Sequence, residues 1–176
     1  MLQKESKTSI IKQGEFAMRL AIYPGSFDPF TNGHLDIAKR SIHLFDHVII
    51  AILHNRAKAP LFSVEERVAM IKEIFSDDSR FSVETFSGLL VDFVRAKKAQ
   101  AIIRGLRAVS DFEFEIQVAS MNAHLCPEAE TVFLMASEDN LFVSSSIIKE
   151  IALLGGDISD KVPPIVWREL CQKRNT

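Results

Sequence analysis

The chain has 176 residues, of which 47% are hydrophobic and 25% charged, a composition typical of a globular protein built around one core. Lysine and arginine number 21 against 23 aspartate and glutamate residues, which gives a formal net charge of −2. This balance supplies no general positive field, so it argues against nucleic acid or an anionic membrane as a partner. Any anionic ligand must therefore be bound by local geometry.

Residues 1–17 differ in character from the rest of the chain. They carry charges at both ends and lack the apolar run of about 7 to 15 residues that a secretory signal needs. We predict a disordered N-terminal extension over residues 1–17, followed by a single domain over residues 18–176. The longest clean apolar run, Val48 to Leu53, is far shorter than the ~20 residues that cross a bilayer, so no transmembrane segment is expected.

The cysteine and histidine side chains show no metal-ligand spacing. Cys126 and Cys171 form neither a CxxC pair nor a zinc pattern, and so few cysteines indicate a reducing compartment, which predicts a cytoplasmic protein with two buried thiols. Four histidines are interpreted as surface or packing residues, and no protein ligand to a metal is predicted: His43, His47, His54 and His124.

Short apolar runs rich in valine, isoleucine and phenylalanine alternate with segments of helical period. Strands are predicted near Arg19 to Tyr23, Val48 to Leu53, Phe81 to Thr85, Ala101 to Arg104 and Thr131 to Met135. This alternation predicts an α/β fold, a Rossmann-like doubly wound five-stranded parallel sheet with helices on both faces. Ligands of such sheets bind beyond the carboxyl ends of the strands, so functional residues should follow strands.

The helices carry start and stop signals. They are predicted over Gly33 to Leu44, Val64 to Phe75, Leu89 to Lys97, Asp111 to about His124 and Ser145 to Leu154, and a terminal helix with Pro163 and Pro164 in its first turn should reach Arg174. Ser63 with Glu66, and Ser110 with Glu113, have the spacing of capping boxes. Gly155 and the glycine after it should end the fifth helix, because glycine readily takes the left-handed conformation.

The first motif lies between the first strand and the first helix and reads GSFDPFTNGH from Gly25 to His34. A glycine near each end allows close approach of the backbone to a ligand, and the helix that begins at Gly33 offers unpaired N–H groups to an anion. Asp28 precedes a proline and is interpreted as a turn former with a structural role. The motif is neither a P-loop nor a dinucleotide fingerprint.

Two further motifs also follow strands. Arg104 and Arg107 flank a glycine and a leucine directly after the fourth strand, and two such guanidinium groups can bind two phosphate groups. Serines 144–146 open the fifth helix, where their hydroxyls can either cap the helix or join its N–H groups in binding the outer phosphates of a nucleotide. Lys149 lies one turn further along.

The segment TNGH resembles the (H/T)xGH signature of the nucleotidyltransferase superfamily. Together with IRGLRAVSDFEFE and the triple serine with its lysine, it resembles the bacterial phosphopantetheine adenylyltransferases over about Arg19 to Val162. Ser26 stands where many members have threonine and keeps the hydroxyl. The loop from Glu138 to Leu141 differs from an aromatic-containing version found in some members.

The resemblance implies transfer of an adenylyl group from ATP to 4'-phosphopantetheine, giving dephospho-coenzyme A and pyrophosphate. It assigns catalysis to His34, Lys58 and Arg107, and binding of the acceptor to Ser26, Lys58, Leu90 and Arg104. It assigns ATP binding to Ser26, Phe27, His34, Gly105, Leu106, Arg107, Glu115, Asn140, Leu141, Phe142, Val143, Ser144, Ser145 and Ser146. It also implies a homohexamer and feedback inhibition by coenzyme A.

The chemistry of that reaction needs no catalytic base, because a phosphate acceptor is already an anion at neutral pH. Magnesium is expected to be bound mainly through the ATP phosphates and water. Two alternatives stay open: a nicotinamide or nicotinate mononucleotide adenylyltransferase, against which IRGLRAVSDFEFE argues, and a non-catalytic sensor of nucleotide or coenzyme A, against which His34, Lys58 and Arg107 argue.

Overall fold

The computed structural model describes residues 18–54, 60–107, 109–141 and 143–175. Five strands of this part form one sheet in which every neighbouring pair is parallel, with the order β3-β2-β1-β4-β5. They are β1 (Leu20–Gly25), β2 (His47–Leu53), β3 (Phe81–Phe86), β4 (Ala101–Leu106) and β5 (Glu130–Met135). Each lies within two residues of its predicted bounds, so the predicted sheet is confirmed.

Six α-helices of the described residues follow the predicted order. They are α1 (Asn32–Ser41), α2 (Val64–Ile74), α3 (Leu90–Lys97), α4 (Val109–Leu125), α5 (Ser145–Leu153) and α6 (Pro164–Arg174). The capping box of Ser63 and Glu66 is present at α2. The one predicted at Ser110 is wrong: α4 is already helical at Val109, and an N-cap residue must precede the first helical residue.

The core covers both faces of the sheet, because adjacent strand residues point to opposite sides. Ile22 is paired with Ile49 and Ile102 and packs with them on the face covered by α3. Their chain neighbours pack on the other face against α1, α2, α5 and α6. The doubly wound arrangement is therefore confirmed, with the strands buried on both sides as parallel sheets require.

Both cysteines are free thiols, but only one matches its predicted environment. Cys126 is completely buried beneath the sheet. Cys171, on α6, is only partly buried, because the buried stripe of that helix is formed by Ile165, Val166 and Leu170. In the part of the chain that the structure describes, no helix is both long and apolar enough to cross a bilayer.

The strand order reverses between β1 and β4. The chain runs from β1 outward to β2 and β3, then crosses back to place β4 on the other side of β1. The loops that leave β1 and β4 therefore diverge and leave a crevice at the carboxyl ends of these two strands, where open α/β sheets bind their ligands. The first and second motifs follow β1 and β4, so the fold places both at this crevice.

Candidate active site

A cavity of about 320 Å³ opens at this point of the sheet. Its wall is built from the segments that follow β1, β4 and β5, together with the N-terminus of α5. The predicted site residues that line it are Ser26, Phe27, His34, Arg104, Gly105, Arg107, Glu115, Val143, Ser144, Ser145 and Ser146. The fold thus brings three motifs that are far apart in the chain into one cavity.

Other predicted site residues lie elsewhere. Leu106 is buried in β4. Leu90 begins α3 and packs against the core on the face of the sheet that α3 covers. Asn140 and Leu141 belong to the turn before α5, and the Asn140 side chain donates a hydrogen bond to the Ser137 hydroxyl at 2.8 Å. None of these four lines the cavity. The remaining two, Lys58 and Phe142, lie outside the described residues.

Tyr23 lines the cavity, although the sequence analysis did not single it out. It is the only tyrosine of the chain and lies near the end of β1, 4% exposed. Burial raises the pKa of its hydroxyl well above the ordinary value, so the group stays protonated. A polar aromatic residue near the carboxyl end of the central strand is the signal that could have identified it.

The TNGH segment forms a capping box at the start of α1. The Thr31 hydroxyl accepts the N–H of His34 at 3.4 Å, and His34 Nδ1 accepts the N–H of Thr31 at 3.0 Å. An imidazole nitrogen that accepts a backbone N–H carries no proton itself, so the proton of neutral His34 is on Nε2. The capping box therefore sets the orientation and the tautomer of the histidine.

The surroundings of His34 keep it uncharged. Burial, and secondly the positive charge of Arg107, lower its pKa from 6.5 to about 4. The imidazole packs edge-on against Phe27, with ring centroids 5.2 Å apart, and near Phe30, at 5.4 Å. At neutral pH the ring is thus a fixed neutral group with one N–H to donate.

This lowered pKa predicts a pH dependence of stability. Unfolded His34 takes up a proton near pH 6.5, whereas folded His34 does so only near pH 4. Between these values the unfolded state binds more protons, so the stability contributed by His34 is complete above pH 6.5 and is lost as pH falls towards 4. In urea unfolding, wild type should lose more stability between pH 7 and pH 5 than His34→Gln does. Equal losses would contradict the assigned pKa.

Phe27 shapes the loop between β1 and α1. It is 2% exposed and has a φ of 48°, in the left-handed region. A Cβ built on Gly25 would lie 2.7 Å from two atoms of the Phe27 ring. The close approach of the Phe27 ring therefore makes glycine necessary at this position, which also lines the cavity.

The two arginines of the second motif have different partners. Arg104 Nε and a terminal nitrogen donate to the two carboxylate oxygens of Glu115 at 2.6 and 2.5 Å, which makes a neutral pair on the cavity wall. Arg107 donates to the Val143 carbonyl at 3.3 Å, beside the serine run. Arg107 therefore links the second motif to the third.

The serines at the start of α5 cap that helix and contact the loop after β1. The Ser144 hydroxyl accepts the N–H of Ile147 at 3.2 Å and caps the helix, and the Ser145 hydroxyl donates to the Pro29 carbonyl at 2.8 Å. Because the first turns of α1 and α5 both reach the cavity, the positive ends of two helix dipoles meet there. The cavity is therefore suited to a polyanion.

Comparison with known proteins connects this geometry to a family. Residues 22–151, which include all three motifs, match the cytidylyltransferase-like family model. The phosphopantetheine adenylyltransferase of Lawsonia intracellularis is 57% identical over 146 residues, which cover 83% of this chain and 85% of that protein. The phosphopantetheine adenylyltransferase of Alkaliphilus metalliredigens is 52% identical over 156 residues (89% and 99%), and that of Heliobacterium modesticaldum is 54% identical over 156 residues (89% and 93%). The chain therefore belongs to the cytidylyltransferase-like family and, within it, to the phosphopantetheine adenylyltransferases.

Proposed function

We propose that the protein transfers the adenylyl group of ATP to 4'-phosphopantetheine and forms dephospho-coenzyme A and pyrophosphate, the penultimate step of coenzyme A biosynthesis. The observation that carries this proposal is the convergence of the three motifs on one cavity at the strand-order reversal. The relatives that match most of the chain are named for this activity.

The reaction is a single in-line displacement. An oxygen of the acceptor phosphate forms a bond to the α-phosphorus of ATP, while the bond from that phosphorus to the bridging oxygen breaks and pyrophosphate leaves with the electron pair. The attacking oxygen is already an anion, so the protein has no proton to remove. Its task is to hold two polyanions together and to stabilise the charge that develops on the α-phosphoryl group.

His34 and Arg107 are suited to that task. Neutral His34 donates its Nε2–H to a non-bridging oxygen of the α-phosphoryl group, and its fixed ring needs no reorganisation during the reaction. Arg107 adds a permanent positive charge close enough to lower the pKa of His34. Lys58 lies outside the described residues. Its proposed role, contact with both the acceptor and the reacting phosphates, rests on the family resemblance alone.

Binding is assigned to the cavity wall. Ser26, Arg104 and Leu90 are proposed to contact the acceptor, and the segments 105–107 and 140–146, with Ser26, Phe27, His34 and Glu115, to contact ATP. Ser26, Arg104 and most of the residues assigned to ATP lie around one cavity, which supports these assignments. Leu90 has no such support, because it packs on α3 away from the cavity lining.

Magnesium is proposed to be bound mainly through the ATP phosphates and water, where it would neutralise part of their charge. In the described residues, no three His, Cys, Asp or Glu side chains cluster as a metal site would require. The nearby carboxylates are also engaged by cations, Glu115 by Arg104 and Asp28 by Lys149. This donor set fits an ion that reaches the site with its nucleotide.

Two exposed apolar faces support the proposed homohexamer. On α4, Phe114 is 63% exposed and Met121 58% exposed. On α5, Ile147 is 50% exposed, close to the exposed Ile151. Closed assemblies with dihedral symmetry use more than one kind of interface, and apolar faces of this kind mark such contacts.

The assembly is tested by light scattering after size exclusion. A hexamer should have six times the 19.8 kDa chain mass. Phe114→Asp should lower that mass, because a carboxylate buried in an apolar interface lacks a partner, whereas Asp77→Ala, a change on an exposed turn, should leave it unchanged. A monomeric wild type would refute the hexamer.

Two further properties are proposed on the family resemblance. Coenzyme A contains both the pantetheine arm and an adenylate, so it would compete with the substrates for the same cavity and inhibit by feedback. The protein is proposed to act in the cytoplasm, which its two free thiols support.

The proposed activity is tested by pyrophosphate release. Purified protein with magnesium and ATP should release pyrophosphate only when 4'-phosphopantetheine is also present. Release of pyrophosphate without the acceptor would indicate hydrolysis of ATP. Binding of ATP with no release of pyrophosphate, with or without the acceptor, would indicate a sensor. Either result would overturn the proposal.

A further inference from the structure

A buried arginine outside the cavity lining holds the loop that carries Ser26. Arg67 lies on α2 and is only 4% exposed. One terminal nitrogen donates to the Ser26 carbonyl at 2.6 Å, and its Nε donates to the Ser63 carbonyl at 3.2 Å. The guanidinium therefore joins the loop after β1 to the N-cap of α2.

Two side chains of α5 hold the same loop from another direction. Lys149 Nζ lies 2.7 Å from the Asp28 carboxylate, and the Ser145 hydroxyl donates to the Pro29 carbonyl. The Asp28 carboxylate also accepts the N–H groups of Leu61 and Phe62 at 3.1 and 3.0 Å. Lys149, the basic residue of the third motif, is thus bound to the loop and is not part of the cavity lining.

These contacts are concentrated at one place in the molecule. Among the described residues, four polar or charged ones are buried, and three of them belong to this loop or bind it: Asp28, Thr31 and Arg67. Burying a guanidinium is unfavourable unless its N–H groups are bonded, and burial does lower the Arg67 pKa, opposed mainly by the charge of Asp28. The bonds that compensate this burial go to backbone carbonyls, one of them that of Ser26.

We propose that Arg67 is a positioning residue for adenylyl transfer, which it serves by fixing the Ser26 carbonyl and so placing the Ser26 hydroxyl at the cavity. This inference rests on the proposed function. Among the residues that the structure describes, Arg67 is the side-chain donor to that carbonyl, whereas the Ser63 carbonyl also accepts the backbone N–H of residue 67 itself. Loss of the guanidinium would therefore remove the side-chain donor to the Ser26 carbonyl, while the cap of α2 and the contacts of Asp28 and Pro29 would persist.

The test is a double-mutant cycle between residues 67 and 26. Arg67→Met should lower kcat by about 10-fold or more, and Arg67→Lys, whose ammonium can still reach the Ser26 carbonyl, should restore most of it. In the Ser26→Ala background, Arg67→Met should cost less than about 3-fold further, because coupled residues are non-additive. Arg168→Met, the same change at a side chain 58% exposed, is the matched control and should keep wild-type kcat.

Additive losses in the cycle, or an Arg67→Met enzyme with wild-type kcat, would overturn the inference. If Arg67→Met does not fold, the cycle is run with Arg67→Lys, whose smaller loss should vanish in the Ser26→Ala background; a loss that persists there would overturn it equally. A wild-type protein that makes no dephospho-coenzyme A refutes the proposed function instead. In that case the same double-mutant cycle is measured on the Kd for ATP by calorimetry, and additive changes in the free energy of ATP binding would overturn the inference.

Discussion

Replacing His34 with alanine is expected to lower kcat by about 10²- to 10³-fold, the usual effect of removing one fixed donor to a developing negative charge. The fold should persist, because the Thr31 hydroxyl can still accept the N–H of residue 34 at the start of α1. Steady-state kinetics together with thermal unfolding measure both effects. Retention of kcat within about 3-fold in a folded His34→Ala protein would contradict the donor role.

The state of His34 gives this prediction a second part. Because its pKa is lowered to about 4, wild-type kcat should show no titration of this residue between pH 6 and 9. His34→Gln, which offers a neutral N–H without a titratable ring, should recover part of the activity that alanine loses. A kcat that rises with a single protonation near pH 6.5 and is flat in His34→Gln would show that the imidazolium is the active form.

Replacing Arg107 with glutamine is expected to lower kcat/KM for ATP by about 100-fold, the order of loss seen when a charged donor to a transferring phosphoryl group is removed. The same change should raise the pKa of His34 towards its ordinary value, since the charge of Arg107 is one of the two causes that lower it. Kinetics test the first effect, and an NMR titration of the His34 ring tests the second.

The matched control is Arg80→Gln. Arg80 pairs with Asp78 on an exposed turn away from the cavity lining, so both the kinetics and the His34 titration should stay as in wild type. An Arg107→Gln enzyme with normal kcat/KM would remove Arg107 from the phosphate site. If kcat/KM for ATP falls as expected in Arg107→Gln but the pKa of His34 is unchanged, only the electrostatic coupling of the two residues is refuted.

The strands and the start of α2 were predictable because their sequence signals are local. Val48 to Leu53 is a short run of apolar, mostly β-branched residues, which predicts a doubly buried strand whatever surrounds it. The capping box of Ser63 and Glu66 lies within one helical turn and needs no tertiary information. At Ser110 the same spacing failed, because the pattern alone does not show where the backbone first becomes helical.

Several features of the candidate site depend on contacts between distant segments, which no spacing reveals. The pairing of Arg104 with Glu115 follows from the way α4 folds back beside β4. Lys149 lies 121 residues from Asp28 in the chain, so its ion pair with the loop was not visible in the serine-rich motif. In the sequence, Arg67 is one of several charged residues on an amphipathic helix, a pattern that predicts an exposed side chain. The packing of α2 shows that it is buried.

The most direct test of the proposed reaction is to offer ATP and magnesium with 4'-phosphopantetheine and nicotinamide mononucleotide together and to identify the products by mass spectrometry. We expect dephospho-coenzyme A, formed in equal amount to pyrophosphate, and no dinucleotide. A dinucleotide product would keep the fold and the adenylyl transfer but contradict the assigned acceptor. The absence of both products from a protein that binds ATP would contradict the proposed activity itself.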